Sequence, residues 1–103
     1  MAAFWSEVTG LPCSKQEVPG NPYWLVGTAD GSDLRLVFVN VPEEKASKNR
    51  LHLDLFPRDG SQANELERIE SLGARIVDDR RRVEPGGWVV LEDLEGNEFC
   101  LEG

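Results

Sequence analysis

Three pairs of like residues keep step along this chain. Gly10 and Gly73 each follow a short helix-like stretch, Trp24 and Trp88 each stand in a run of strand-forming residues, and Gly31 and Gly96 each sit in a turn. The members of each pair lie at nearly the same offset, about 64 positions, which is the mark of a duplicated structural unit. Built outward from these anchors, each unit takes the order strand, helix, strand, strand, strand. The fold class that follows is α+β, a single domain over 1–103 with unit one at 1–41, a linker at 42–48 and unit two at 49–103.

Unit two opens on Lys48-Asn49-Arg50-Leu51-His52-Leu53-Asp54-Leu55-Phe56. Side chains of a strand point alternately to its two faces, so this stretch places Leu51, Leu53 and Leu55 on one side and Arg50, His52, Asp54 and Phe56 on the other. The leucine face suits packing under a helix. The other face carries the chain's single histidine and a carboxylate two residues on, groups that are costly to bury unless they look into a hydrated or ligand-filled space. The equivalent strand of unit one would fall before Met1, so unit one is expected to lack its opening strand.

The remaining elements follow in order. Met1 to Thr9 is helix-like, with Phe4, Trp5 and Val8 as its buried stripe and Gly10 and Pro12 as its stop. Leu11 to Val18 is a weak strand closed by the turn Pro19-Gly20-Asn21-Pro22, and Tyr23 to Ala29 is a stronger one leading to the hairpin turn Asp30-Gly31-Ser32-Asp33. Leu34 to Val41 is apolar in both alternating sets, which predicts cover on both faces. Asp59 and Gln62 form a candidate capping box for a helix carrying Leu66, Ile69 and Leu72, closed by Gly73. Ala74 to Val77 is a strand, Pro85-Gly86-Gly87 a turn, and Trp88 to Glu92 pairs with Glu98 to Glu102 around Asp93 to Asn97.

Composition narrows the function classes. The net charge of -8, from 19 acids against 11 bases, repels a phosphate backbone and an anionic membrane surface, so neither nucleic acid nor membrane is an expected partner. Cys13 and Cys100 have no CxxC spacing and no secretory leader ahead of them, which is the pattern of free thiols in a reducing cytoplasm. Neither a nucleophile paired with a base, nor a Gly-rich phosphate loop, nor a zinc-knuckle spacing occurs in the sequence.

The run from Lys48 to Leu55, the segment Ser71-Leu72-Gly73-Ala74-Arg75 and the terminal run from Trp88 to Cys100 resemble the glyoxalase-like branch of the vicinal oxygen chelate superfamily, which includes glyoxalase I, bleomycin-resistance proteins and extradiol dioxygenases. The resemblance covers essentially the whole chain. It implies paired βαβββ units whose mixed sheets curl into a cup, with ligand or metal on the concave face. It also implies metal ligands on the first and last strands of each unit. On this sequence that pattern gives His52, with Cys100 where a glutamate is usual, Glu102 beside it, and only Val39 or Phe38 on the last strand of unit one. The family metal site is therefore incomplete in this chain.

The candidate ligand pocket comprises Arg50, His52, Asp54, Trp24, Phe38, Trp88 and Cys100, with His52, Cys100 and Glu102 as candidate ligands for a divalent metal. Each has an ordinary explanation too. His52 can be a polar group hydrogen-bonded to Asp54, Arg50 or water, Cys100 a small apolar filler, and Trp24, Tyr23, Phe38 and Trp88 simple core residues. Arg80-Arg81-Arg82 could grip an anion, but beside Asp78 and Asp79 it reads as a solvated strand end. The expectation is a small-molecule-binding domain with no resident cofactor. The alternative is a metal-dependent lyase, isomerase or dioxygenase. A homodimer is expected, since a partner could cover the sheet left open by the absent strand.

Overall fold

The computed structural model describes residues 1–20, 22–28, 34–82 and 86–103, and its contacts divide into two compact units, Met1–Glu44 and Lys45–Gly103. The fold is α+β. In the first unit, helix α1 (Ala2–Thr9) leads into strands β1 (Cys13–Gln16), β2 (Tyr23–Gly27) and β3 (Arg35–Phe38). Gly10 ends α1 with φ at 73°, a left-handed conformation suited to glycine, and its N–H donates to the Ser6 carbonyl at 2.9 Å. Ala2, Phe4 and Trp5 are buried, the two rings meeting edge to face at 5.5 Å, while Val8 is only half-buried. The three strands form an antiparallel sheet in the order β1-β2-β3, with Cys13 opposite Val26 and Trp24 opposite Phe38.

Strand β3 departs from expectation. Cover on both faces was predicted from its apolar residues, yet Val37 and Val39 are about half exposed, because β3 lies at the edge of a three-stranded sheet served by a single helix. The turn at Asp30 to Asp33, its anchor Gly31, the strand end Ala29, and the turn residues Asn21 and Pro85 lie outside the described residues.

In the second unit, β4 (Asp54–Leu55), α2 (Gln62–Ser71), β5 (Arg75–Asp79), β6 (Val89–Glu92) and β7 (Glu98–Leu101) give the βαβββ order expected from the repeat. The sheet order is β4-β7-β6-β5, with β4 parallel to β7 and the other neighbours antiparallel. Helix α2 is capped by Ser61 rather than Asp59. The Ser61 hydroxyl accepts from the Asn64 N–H at 3.1 Å, and Gln62 serves elsewhere, donating to the carbonyls of Gly87 and Leu101 at 3.0 Å each. These two bonds tie the start of the helix to the sheet. Gly87 has no room for a side chain, since a Cβ there would stand 2.1 Å from the Arg80 carbonyl oxygen.

Leu66 and Ile69 on α2 are buried, and so are Val89, Leu91, Phe99 and Leu101. The register sets Val89 opposite Leu101 and Leu91 opposite Phe99, so these four share one face of the sheet. Each such side chain contributes roughly 1.5–3 kcal/mol when removed from water, which makes this face the main stabilising element of the unit. The leucine face of the opening stretch contributes less than predicted. Leu51 is 88 % exposed and does not pack under α2, and Leu53 and Leu55 are half-buried, because ladder pairing of the stretch begins only at Asp54.

Candidate functional site

The opposite face of the second sheet carries the chemistry. In the parallel pair Asp54 lies opposite Cys100, held by bonds from the Cys100 N–H to the Leu53 carbonyl at 2.9 Å and from the Glu102 N–H to the Leu55 carbonyl at 2.8 Å. Val90 lies opposite Cys100 on the other side, so Asp54, Cys100 and Val90 form a row across three strands. His52 sits two residues before Asp54, Trp88 two before Val90, and Glu98 and Glu102 two on either side of Cys100. Period-two alternation therefore brings all of them to one face. The Asn49 amide donates to the Glu98 carbonyl at 3.2 Å and pins the approach to β4 alongside β7.

Together these residues line a cleft of about 410 Å³, with Lys48 and Phe99 completing the wall. The volume lies within the range of small-molecule sites, roughly 300–1,000 Å³. Trp88 and Val90 give it an apolar side. Asp54, Glu98 and Glu102 outnumber Lys48, so the other side is acidic. His52 Nε2 approaches Asp54 Oδ1 to 3.1 Å, and one ligand atom each of His52, Asp54 and Cys100 lie within 4.8 Å of one another.

The Cys100 thiol is pushed up to about 11, first by burial, then by the negative charges of Asp54 and Glu102, a hydrogen bond to Asp54 and the charge of Glu98. At neutral pH it is a protonated thiol, not a nucleophile. The arrangement can hold a partly apolar molecule against Trp88 and Val90 and can offer nitrogen, oxygen and sulfur donors at one point of the wall.

Of the residues singled out from sequence, His52, Asp54, Trp88, Cys100 and Glu102 line this cleft. Arg50 is exposed and does not, and Lys48 supplies the basic group in its place. Trp24 and Phe38 face one another in the sheet of the first unit. Lys48, Val90 and Phe99 were missed. Lys48 shares the parity of His52 and Asp54, and Val90 that of Trp88, so the same alternation could have found those two, whereas Phe99 has the parity of the opposite face and is found only from the structure. Arg81 is engaged with Asp79 through a two-pronged pair at 2.9 and 2.6 Å that holds the Asp79 carboxyl down at about 2, in keeping with a solvated strand end. No helix among the described residues is long and apolar enough to cross a membrane.

An α+β chain with a βαβββ unit and a cleft on one sheet face is of the glyoxalase-like class within the vicinal oxygen chelate superfamily. The model of the glyoxalase-like domain family matches residues 1–102, and the chain belongs to that family. No curated protein matches it. Among solved structures, it is similar to the fosfomycin resistance protein FosX from Mesorhizobium loti, with a TM-score of 0.67 and 16 % identity over 94 % of this chain and 74 % of that one. A hypothetical protein from S. aureus gives a TM-score of 0.67 and 10 % identity over 98 % and 81 %. A point variant of FosX from Listeria monocytogenes, complexed with Mn(II) and 1S,2S-dihydroxypropylphosphonic acid, gives 0.67 and 17 % over 97 % and 75 %. These likenesses are of fold.

Proposed function

We propose that the chain is a single glyoxalase-like domain that binds a small, partly apolar molecule in the cleft of its second unit, without a complete family metal site. The observation that carries this reading is the convergence of His52, Asp54, Cys100 and Trp88 on one wall of a cleft of about 410 Å³, with Val90 as apolar floor. The test is intrinsic fluorescence and thermal shift of the chelator-treated protein against a panel of small aromatic and aliphatic compounds. A binder is expected to raise the melting temperature of the parent and to lose that effect in W88A. Binding that is indifferent to W88A and to V90D in folded protein would contradict the site.

The second reading, a metal-dependent lyase, isomerase or dioxygenase, draws on the three donors of His52, Asp54 and Cys100. The listerial FosX variant is a complex with Mn(II). Manganese favours an oxygen-rich octahedral set. The donors here include the sulfur of Cys100, which does not fit such a set.

For assembly we propose a homodimer, with the first unit giving most of the contact. Val37, Val39 and Val41 are half or more exposed on or just beyond an edge strand, a surface that association would cover. Sedimentation at micromolar concentration is expected to show a dimer, and a monomer with no self-association would contradict it. The free Cys13 and Cys100 support a reducing, cytoplasmic location.

A further inference from the structure

We propose that the cleft of the second unit selects an organic cation, a small amine whose ammonium group sits among Asp54, Glu98 and Glu102 while its apolar body lies on Trp88 and Val90. The inference rests on the cleft reading and names the ligand class for that site.

Charge supplies the first argument. Three carboxylates and a single ammonium, that of Lys48, line the cleft, an excess of two negative charges around a space of about 410 Å³. Lys48 is exposed and can swing into water, whereas Glu98 and Glu102 are half-buried on and just beyond β7. The same sheet treats a neighbouring acid differently. Glu92, opposite Glu98 in the register, is paired with the Arg75 guanidinium at 2.5 Å. Among the described residues neither Glu98 nor Glu102 has a lysine or arginine partner of that kind. Carboxylates partly withdrawn from water without a cation carry a cost that an incoming ammonium removes and an incoming anion increases. The Cys100 thiol between them registers the same potential, since it is pushed up first by burial and then by the charges of Asp54 and Glu102.

Shape supplies the second. Val89 lies opposite Leu101, and one step further along the same antiparallel register brings Trp88 alongside Glu102. Indole is the aromatic face that holds a cation best. An ammonium at this point meets a half-buried indole and a carboxylate together, and Val90, opposite Cys100, receives the apolar part of the molecule. A neutral molecule of the same shape keeps only the apolar contact. A carboxylate or phosphate of that shape meets like charge, so the cleft discriminates by repulsion as well as by attraction.

The test uses the full chelator-treated chain and three probes of nearly one shape, 2-phenylethylamine, 2-phenylethanol and 3-phenylpropionate, titrated by calorimetry at low and high salt. The amine is expected to bind at least roughly 10-fold tighter than the alcohol, a margin that a cation–π contact and one charge-assisted hydrogen bond supply together. The carboxylate should bind weakest, and only the amine should lose affinity in high salt. E98Q/E102Q is expected to remove most of the preference for the amine while leaving the alcohol unchanged, and K48Q to strengthen amine binding. The charge-matched variant E67Q/E70Q, altered at exposed positions of α2 outside the cleft, should keep the preference. Circular dichroism of each variant reports folding. An alcohol or carboxylate that binds as tightly as the amine and is lost in W88A would overturn the cation preference and leave the cleft reading standing. An amine preference that survives in folded E98Q/E102Q would also overturn it. Failure of all three probes to bind would count against the cleft reading and this one together.

Discussion

Asp54 and Cys100 face one another across the parallel β4–β7 pair, a carboxylate directly opposite a buried thiol. The contact sets the character of the thiol. It places a hydrogen-bond acceptor beside the sulfur and adds a negative charge to a site that burial already makes unfavourable for a thiolate.

The first prediction concerns alkaline stability. The thiol of Cys100 is raised from 9.0 to about 11 in the folded chain, so the unfolded state loses its proton first. The stabilisation associated with the protonated thiol is thus fully present below about pH 9 and is lost as pH rises through 11. Urea denaturation of the metal-free protein from pH 7 to 11 should show a decline that is shallower in C100A. A parent and variant that decline in parallel would contradict it. At pH 7, alkylation of Cys100 should be slow until the protein is unfolded.

A second prediction separates the two candidate caps of α2. Ser61→Ala removes the acceptor of the Asn64 N–H and should destabilise by about 1 kcal/mol. Asp59→Ala should change stability by less than about 0.5 kcal/mol, as an exposed position makes little contribution. Equal effects in chemical denaturation would restore Asp59 as the cap.

A third prediction follows from Asp93, the one buried acid among the described residues. Its carboxylate accepts from the Glu95 N–H at 2.9 Å, the Asn97 N–H at 2.9 Å and the Asn97 side-chain amide, and so shapes the connection between β6 and β7. Asp93→Ala strands those donors and should cost about 2–3 kcal/mol. Because β6 and β7 carry Val90 and Cys100, with Trp88 just before β6, binding in the cleft should weaken with it, which denaturation and thermal shift together would show.

How far the sequence reveals the fold depends on the range of the interactions involved. The repeat was legible because Gly10, Gly73, Trp24 and Trp88 occupy like places in two α-β-β-β series, and the structure has that series twice. Alternation places His52 and Asp54 on one face, but it is silent on where a partner strand starts, so it assigns Leu51 to the packed face although the residue is solvent-exposed. The role of Gln62 was hidden for the same reason. Its partners Gly87 and Leu101 lie 25 and 39 residues away, so a local capping motif was the only pattern in view. Arg50 and Lys48 have equal parity, so alternation alone does not tell which of them reaches the cleft wall, and the structure places Lys48 there.

The most direct measurement of the central claim is a two-dimensional amide NMR titration of the metal-free chain with a compound found to raise its melting temperature. The account predicts shifts concentrated at Asp54, Trp88, Val90 and Cys100 and their strand neighbours, with W88A abolishing them in a folded protein. Shifts confined to the first unit, or a set that leaves Cys100 and Val90 unmoved, would contradict it.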